Sequence, residues 1–298
     1  MHFKSTFIVM KKALLSLHIA VFLAGFTGIL GRLITLNEGL LVWWRILITV
    51  ITLVIISFVR KESRKISRPV LLRIFGVGAL VALHWVFFYA SIKYANVSIG
   101  LVCFSAIGFF TAFFEPFIMR RRLDWIEVVL GCIAILGIAV IFHFDERYKT
   151  GIILGIISSL LAALFPVFNK KLLMNTTAET LTFYELIGGL IVLSVLMPFY
   201  LHFFPAAHYI PSGSDMLWLL VLSWFCTVIA FNLSVSALKK ISPFTVSLSY
   251  NLEPLYGIVL AFVLYKENEF LGPSFYWGLM LICLTVFIQT YRLYKART

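Results

Sequence analysis

The sequence predicts an all-α polytopic membrane protein of ten transmembrane helices, arranged as two inverted five-helix repeats. Three observations carry this. Of 298 residues, 61% are hydrophobic and only 13% charged, with a mean hydropathy of +1.01, whereas soluble domains carry roughly 25% charged residues. About 20 apolar residues cross a hydrocarbon core roughly 30 Å thick, and the chain holds ten such runs. The first five runs and the last five keep the same spacing when the chain is shifted by about 146 residues.

The runs fall at approximately 13–31, 39–59, 74–92, 97–119, 126–144, 151–169, 181–201, 216–238, 243–265 and 272–291. The first follows Lys4, Lys11 and Lys12. It is longer than a signal-peptide core, and Gly31-Arg32-Leu33-Ile34 offers no A-x-A-like cleavage site, so a retained span is expected. The second carries Val42-Trp43-Trp44-Arg45, and the third follows the basic loop 60–73 and carries His84, Trp85, Phe88 and Tyr89. The fourth ends on Arg120-Arg121-Arg122. Runs five and six meet near 145, which sets the expected repeats at 1–145 and 146–298. Glu185 lies in the seventh, Asn232 in the eighth, and Ser247-Leu-Ser-Tyr-Asn-Leu-Glu-Pro-Leu-Tyr-Gly257 in the ninth. The tenth ends before Arg292, Lys295 and Arg297. Cys103, Cys132, Cys226 and Cys283 all fall within runs and read as small buried hydrophobes. Neither a disulfide framework nor a metal spacing is present, so no metal or other cofactor is expected.

Lysine and arginine set the expected orientation, because they accumulate in cytoplasmic loops. With the N-terminus inside, the terminal groups, the 60–73 loop, Arg120–Arg122, Lys170-Lys171 and Lys239-Lys240 all fall on the cytoplasmic side; together they hold 19 of the 25 basic residues. Glu38, Asp145, Glu146, Asp215, Glu267 and Glu269 fall on the other. Both termini are therefore expected in the cytoplasm, in a multi-pass inner-membrane protein. The +12 net charge is then a topology signal and an attraction to anionic membrane lipid, and calls for no nucleic acid.

The shift lays Ala90–Asn96 over Ser236–Ser242, each the end of one run, a lysine-bearing turn and the start of the next. Five is odd, so the two halves cross in opposite senses. The charges agree: loop 60–73 matches 202–215, which has no Lys or Arg, and Arg120–Arg122 matches the net-acidic Lys266–Glu269. Inverted repeats place substrate near the midplane between them. Small residues recur every four positions at Ala20, Ala24 and Gly28 and at Gly151, Gly155 and Ser159, which reads as close-packing seams.

The ten runs, this repeat, Val42–Arg45 and the stretch Ala237–Glu267, with Glu253-Pro254 at its centre, resemble the drug/metabolite transporter superfamily, specifically its EamA branch. The resemblance covers essentially the whole chain. It departs in the first half, where Glu115-Pro116 lies about two turns beyond the position matching Glu253-Pro254, so a symmetric pair of sites is not carried over. The resemblance implies a secondary transporter that exports amino acids or related small metabolites by alternating access through a central cavity. A nucleoside, sugar-phosphate or drug-like cargo is the alternative.

Ionisable groups inside a bilayer face protein or water and mark function. Ser242, Thr245, Ser249, Glu253 and Tyr256 fall on one helical stripe, a candidate cavity wall. Glu253 has two open readings: it meets substrate or a proton, or it repairs the helix where Pro254 leaves the Tyr250 carbonyl without a donor. Arg45 and Glu185 align across the repeats and read as an ion pair or as two ends of one zwitterionic site, with snorkelling to the surface as the other reading for Arg45. The candidate substrate residues are Arg45, His84, Trp85, Tyr89, Glu185, Tyr250, Asn251 and Glu253, with proton coupling a candidate property. Glu115 is expected to pair with the triple arginine. A lipid-modifying enzyme is the rival class, but no H-E-x-x-H or other nucleophile or metal cluster occurs, so no enzyme is expected. A passive channel would share the cavity without alternating closure.

Overall fold

The computed structural model describes residues 2–61, 64, 66–142 and 148–295. Lys65, Asp145, Glu146, Arg297 and the expected repeat boundary lie outside the described residues, as do the side chains of Lys4 and Lys11. All regular structure among the described residues is helical, in ten spans. α1 comes in two pieces, His2–Ala24 and Thr27–Leu33, and α2 spans Glu38–Val59. α3 is Arg68–Tyr94, α4 is Val97–Phe104 plus Ile107–Met119, and α5 is Trp125–Phe142. α6 is Lys149–Leu172 and α7 Ala178–Phe203. α8 is Gly213–Ser223, a π-helical turn Trp224–Ile229, and Ala230–Ala237. α9 is Pro243–Ser249, a 3-10 turn Tyr250–Leu252, and Glu253–Tyr265, and α10 is Pro273–Lys295. Eight of these spans are long and apolar enough to cross a bilayer, and α5 and α10 carry shorter apolar stretches, Trp125–Ile141 and Pro273–Gln289.

Side-chain contacts sort the turns into two ends. At the basic end Arg292 bonds Asp124 at 2.9 Å and Arg121 bonds Glu127 at 2.6 Å. Glu115 pairs with Arg121 as expected, at 3.2 Å, and its other oxygen accepts the Phe244 N–H at 2.7 Å. Lys170 donates to the carbonyls of Leu238 and Ile241. At the opposite end Glu267 pairs with Arg32 and accepts the N–H groups of Val97 and Ser98 at 3.3 and 3.0 Å. Lys93 donates to the carbonyls of Ile34 and Leu36. The first N–H groups of a helix lack intrahelical partners and favour an anion. α4 and α9 therefore clasp each other at both ends, each helix offering a carboxylate at or just beyond its C-terminus to the N-terminus of the other.

Matching features of α4 and α9 lie 146 residues apart. They are the N-caps Asn96 and Ser242, the restarts at Ile107 and Glu253, and the left-handed C-caps Arg120 and Lys266, with φ of 54° and 52°.

The small-residue seams pack as expected. Gly151 and Gly155 face Ala95, Ser91 and Cys103, and the Ser159 hydroxyl donates to the Cys103 carbonyl at 2.7 Å. Two cysteines differ from expectation: Cys132 is exposed and Cys283 only half-buried, on apolar helix faces where burial in protein is not required. The tightest seam joins α3 to α7, where a Cβ on Gly78 would stand 1.9 Å from the Glu185 carbonyl oxygen, while one on Gly76 would meet nothing within 4 Å. Gly78→Ala is therefore expected to destabilise the protein by about 1–3 kcal/mol, read as thermal unfolding in detergent, with Gly76→Ala neutral or stabilising. Equal behaviour of the two variants would contradict this packing.

Candidate functional site

Four spans lose regular α-helical geometry near their middles: α1 at Gly25-Phe26, α4 at Ser105-Ala106, α8 at its π turn and α9 at its 3-10 turn. Such interruptions release backbone groups that only protein or cavity water can satisfy, and π turns concentrate at functional sites. A cavity of about 60 Å³ lies at this level, bounded by α1, α2, α3, α4, α6, α8 and α9. It extends from Thr27 and Arg45 toward Leu238, near the basic end.

Arg45 dominates its chemistry. The side chain is 1% exposed, so it does not snorkel. Its Nε donates to the Thr227 hydroxyl at 2.8 Å, one Nη to the Tyr89 hydroxyl at 2.8 Å and the other to the Cys226 carbonyl at 3.3 Å. The guanidinium carbon sits 3.9 Å from the Trp85 ring centroid, a stacking worth about 2 kcal/mol when desolvated. Two of the three acceptors, Cys226 and Thr227, belong to the π turn of α8, and the Thr227 hydroxyl in turn donates to the Leu222 carbonyl at 3.1 Å. The irregular turn thus aims oxygens at the cation. No carboxylate among the described residues bonds Arg45.

Glu253 lines the same cavity and is 4% exposed. The repair reading required its carboxyl to satisfy a group freed by Pro254. Instead the 3-10 turn does this with backbone, since the Glu253 N–H itself donates to the Tyr250 carbonyl. No hydrogen bond to the Glu253 carboxyl is made among the described residues, which leaves it for the cavity.

Of the other expected site residues, His84, Trp85 and Tyr250 also line the cavity. The His84 Nδ1 lies 2.8 Å from the Ser158 hydroxyl, and its ring stacks on Phe104 at 5.3 Å. Tyr89 stands behind Arg45 as its acceptor. Asn251 is fully buried outside the lining, with both side-chain polar atoms lacking a partner among the described residues. Glu185 does not meet Arg45; both its oxygens face the Asn169 amide at 3.0 and 3.2 Å. The expected ion pair is therefore corrected: the two residues align in sequence, yet Arg45 bonds Thr227, Tyr89 and Cys226, and Glu185 bonds Asn169. The expected stripe is corrected too. The α9 wall is Val246, Ser247, Tyr250 and Glu253; Val246, Tyr250 and Glu253 stand at i, i+4 and i+7 on the face beside the expected stripe, because packing against the neighbouring helices and not polarity decides which face meets the cavity. Ser249 turns back to the Thr245 carbonyl at 2.8 Å.

Thr27, Ser247, Ser234 and the rings Phe104, Phe165 and Phe231 complete the wall. Sequence reading missed them, since one hydroxyl or phenyl among many in an apolar run gives no signal. Phe231 meets Trp85 edge to face at 5.9 Å, so the apolar wall is aromatic beside the cation.

The model of the EamA-like transporter family matches residues 11–143 and again 149–291. An uncharacterized transporter of Archaeoglobus fulgidus is 28% identical over 150 residues, covering 50% of this chain and 53% of that protein. An uncharacterized transporter of Clostridium kluyveri is 22% identical over 189 residues, covering 60% and 59%. The aligned stretches thus span little more than half of these relatives. A solved structure described only as the crystal structure of a protein shares the fold, with a TM-score of 0.71, 18% identity and coverage of 97% of this chain and 99% of that one.

Thr227→Val removes one acceptor from the buried Arg45 and is expected to cost about 1–3 kcal/mol, seen as a lower unfolding temperature in detergent. An unchanged midpoint would show that the guanidinium does not depend on this turn.

Proposed function

Because the chain belongs to the EamA-like transporter family, we propose that it is a secondary transporter that exports a small amino acid or related zwitterionic metabolite by alternating access through the Arg45–Glu253 cavity. The observation that carries this reading is a buried cation and a buried carboxyl lining one small cavity without bonding each other. A free amino acid presents the complementary pair. Its carboxylate meets Arg45, which offers charge-assisted donors, and its ammonium meets Glu253, with the aromatic wall around the side chain. At about 60 Å³ the cavity admits only a few waters, so cargo enters as the helices part at one end, and the ion pairs and capping bonds at both ends are candidates to open in turn.

The same reading takes 1–145 and 146–298 as inverted five-helix repeats, on the strength of the 146-residue correspondence between α4 and α9. It places the protein in a cytoplasmic membrane, with the basic end and both termini in the cytoplasm, on the strength of the charge pattern. Transport, and no enzymatic turnover, is the activity assigned.

Reconstituted proteoliposomes test this directly. Saturable uptake and counterflow of a labelled amino acid are expected, with cargo lost when only nucleosides or sugar phosphates are supplied. Arg45→Gln is expected to raise KM about 10–100-fold, the worth of one or two charge-assisted hydrogen bonds, and Glu253→Gln to reduce pH-dependent flux. Flux confined to phosphorylated or nucleoside cargo would replace the substrate class, and wild-type pH response in Glu253→Gln would remove its role in coupling.

A further inference from the structure

We propose that Glu185 is a proton-binding site separate from the substrate cavity, opened and closed to water by movement at the α3–α7 seam. Its carboxyl is fully buried, and a carboxylate inside a membrane span is costly unless paired. Its hydrogen-bond partner among the described residues is the Asn169 amide alone. The charged and titratable groups on the helices packed around it are turned elsewhere. Arg45 of α2 is held by Thr227, Tyr89 and Cys226, and His84 of α3 by Ser158. Arg73 of α3 is exposed. Lys170 of α6 serves the Leu238 and Ile241 carbonyls, Tyr184 of α7 bonds the Arg64 carbonyl, and the Arg64 guanidinium lies over Phe183. One amide does not offset a full negative charge, whereas a bound proton removes it. Glutamine would give Asn169 the same kind of hydrogen bond at none of that cost, so proton exchange is the chemistry that calls for a carboxyl here.

Two further oxygens point to an exchanging site rather than a sealed one. The Asn169 Oδ1 and the hydroxyl of Thr182, one turn before Glu185, are buried without a hydrogen-bond partner among the described residues. Buried polar atoms are ordinarily satisfied, and these two are placed to hold water or relay a proton when the site opens. Asn169 lies one turn beyond Phe165 and Pro166 of the cavity wall, which sets the site beside the cavity toward the basic end. The seam that covers it is backbone on backbone: a Cβ on Gly78 would meet the Glu185 carbonyl, and one on Gly189 would stand 2.8 Å from the Gly78 carbonyl oxygen. At those two points backbone lies against backbone with no large side chain between, which makes them the place for the helices to slide.

Proton loading is testable without any cargo; coupling of that proton to transport rests on the function proposed above. Infrared titration of the full chain in lipid nanodiscs is expected to show a buried carboxylic-acid C=O band that is lost in Glu185→Gln and kept in Glu253→Gln. It should shift in Asn169→Leu and stay unchanged when choline is replaced by sodium. A band undiminished in Glu185→Gln, or its absence from the wild type, would overturn the proposal, and discharge by sodium would make this a metal-cation site. If Glu185→Gln fails to fold, Asn169→Leu decides, since an unshifted band means that Glu185 is not its source. In proteoliposomes the acceleration of flux by a pH gradient is expected to vanish in Glu185→Gln; unchanged acceleration would overturn the coupling. Failure of the wild type to move amino acids would strike only the transport reading and leave the infrared result standing.

Discussion

A guanidinium taken out of water in the middle of a membrane protein has to be satisfied by fixed neighbours, and the cavity is organised around that demand at Arg45. Its acceptors are a hydroxyl, a phenol and a peptide carbonyl, with an indole face beneath. None of them cancels the charge. A regular α8 would spend its carbonyls within the helix; the π turn at Trp224–Ile229 presents Cys226 and Thr227 to the arginine. The irregular backbone of α9 has the parallel effect on Glu253, since its 3-10 turn repairs the Pro254 defect with a backbone N–H and leaves the carboxyl unspent.

This arrangement holds a cation and an acidic group at one cavity without bonding them to each other. A direct Arg45–Glu253 salt bridge would be the cheaper state for an idle protein. Keeping them apart is costly in isolation, and under the proposed function a third group with both charges completes the pair. The clasp of α4 and α9 makes that separation mechanically sustainable. Glu115 and Glu267 tie the ends of α4 and α9, and the breaks in these two helices lie between the ties, at the level of the cavity.

Much of the architecture was legible because membrane burial leaves long uniform signals. The ten spans followed from apolar length, the ends from lysine and arginine, and Arg45 and Glu253 stood out as charges inside apolar runs. What escaped depended on local phase and rotation. The serine stripe of α9 marks its more polar face, yet the helix turns Val246, Ser247 and Tyr250 to the cavity, and rotation about the helix axis is set by packing that the pattern does not carry. Nothing in Trp224–Ile229, which has neither glycine nor proline, announces a π turn. Glu185 aligned with Arg45, but alignment fixes depth and not the direction of the side chain, which here points to Asn169. Asn251, next to Tyr250, faces away from the cavity for the same reason.

The central claim is that Arg45 and Glu253 together recognise a zwitterion. Ligand-induced thermal stabilisation of the purified protein tests it most directly, comparing an amino acid with its carboxamide and with the analogue lacking the amine. The account predicts stabilisation by the parent only, abolished for every ligand in Arg45→Gln. Equal stabilisation by the carboxamide, or a response to the parent that persists in Arg45→Gln, would contradict it.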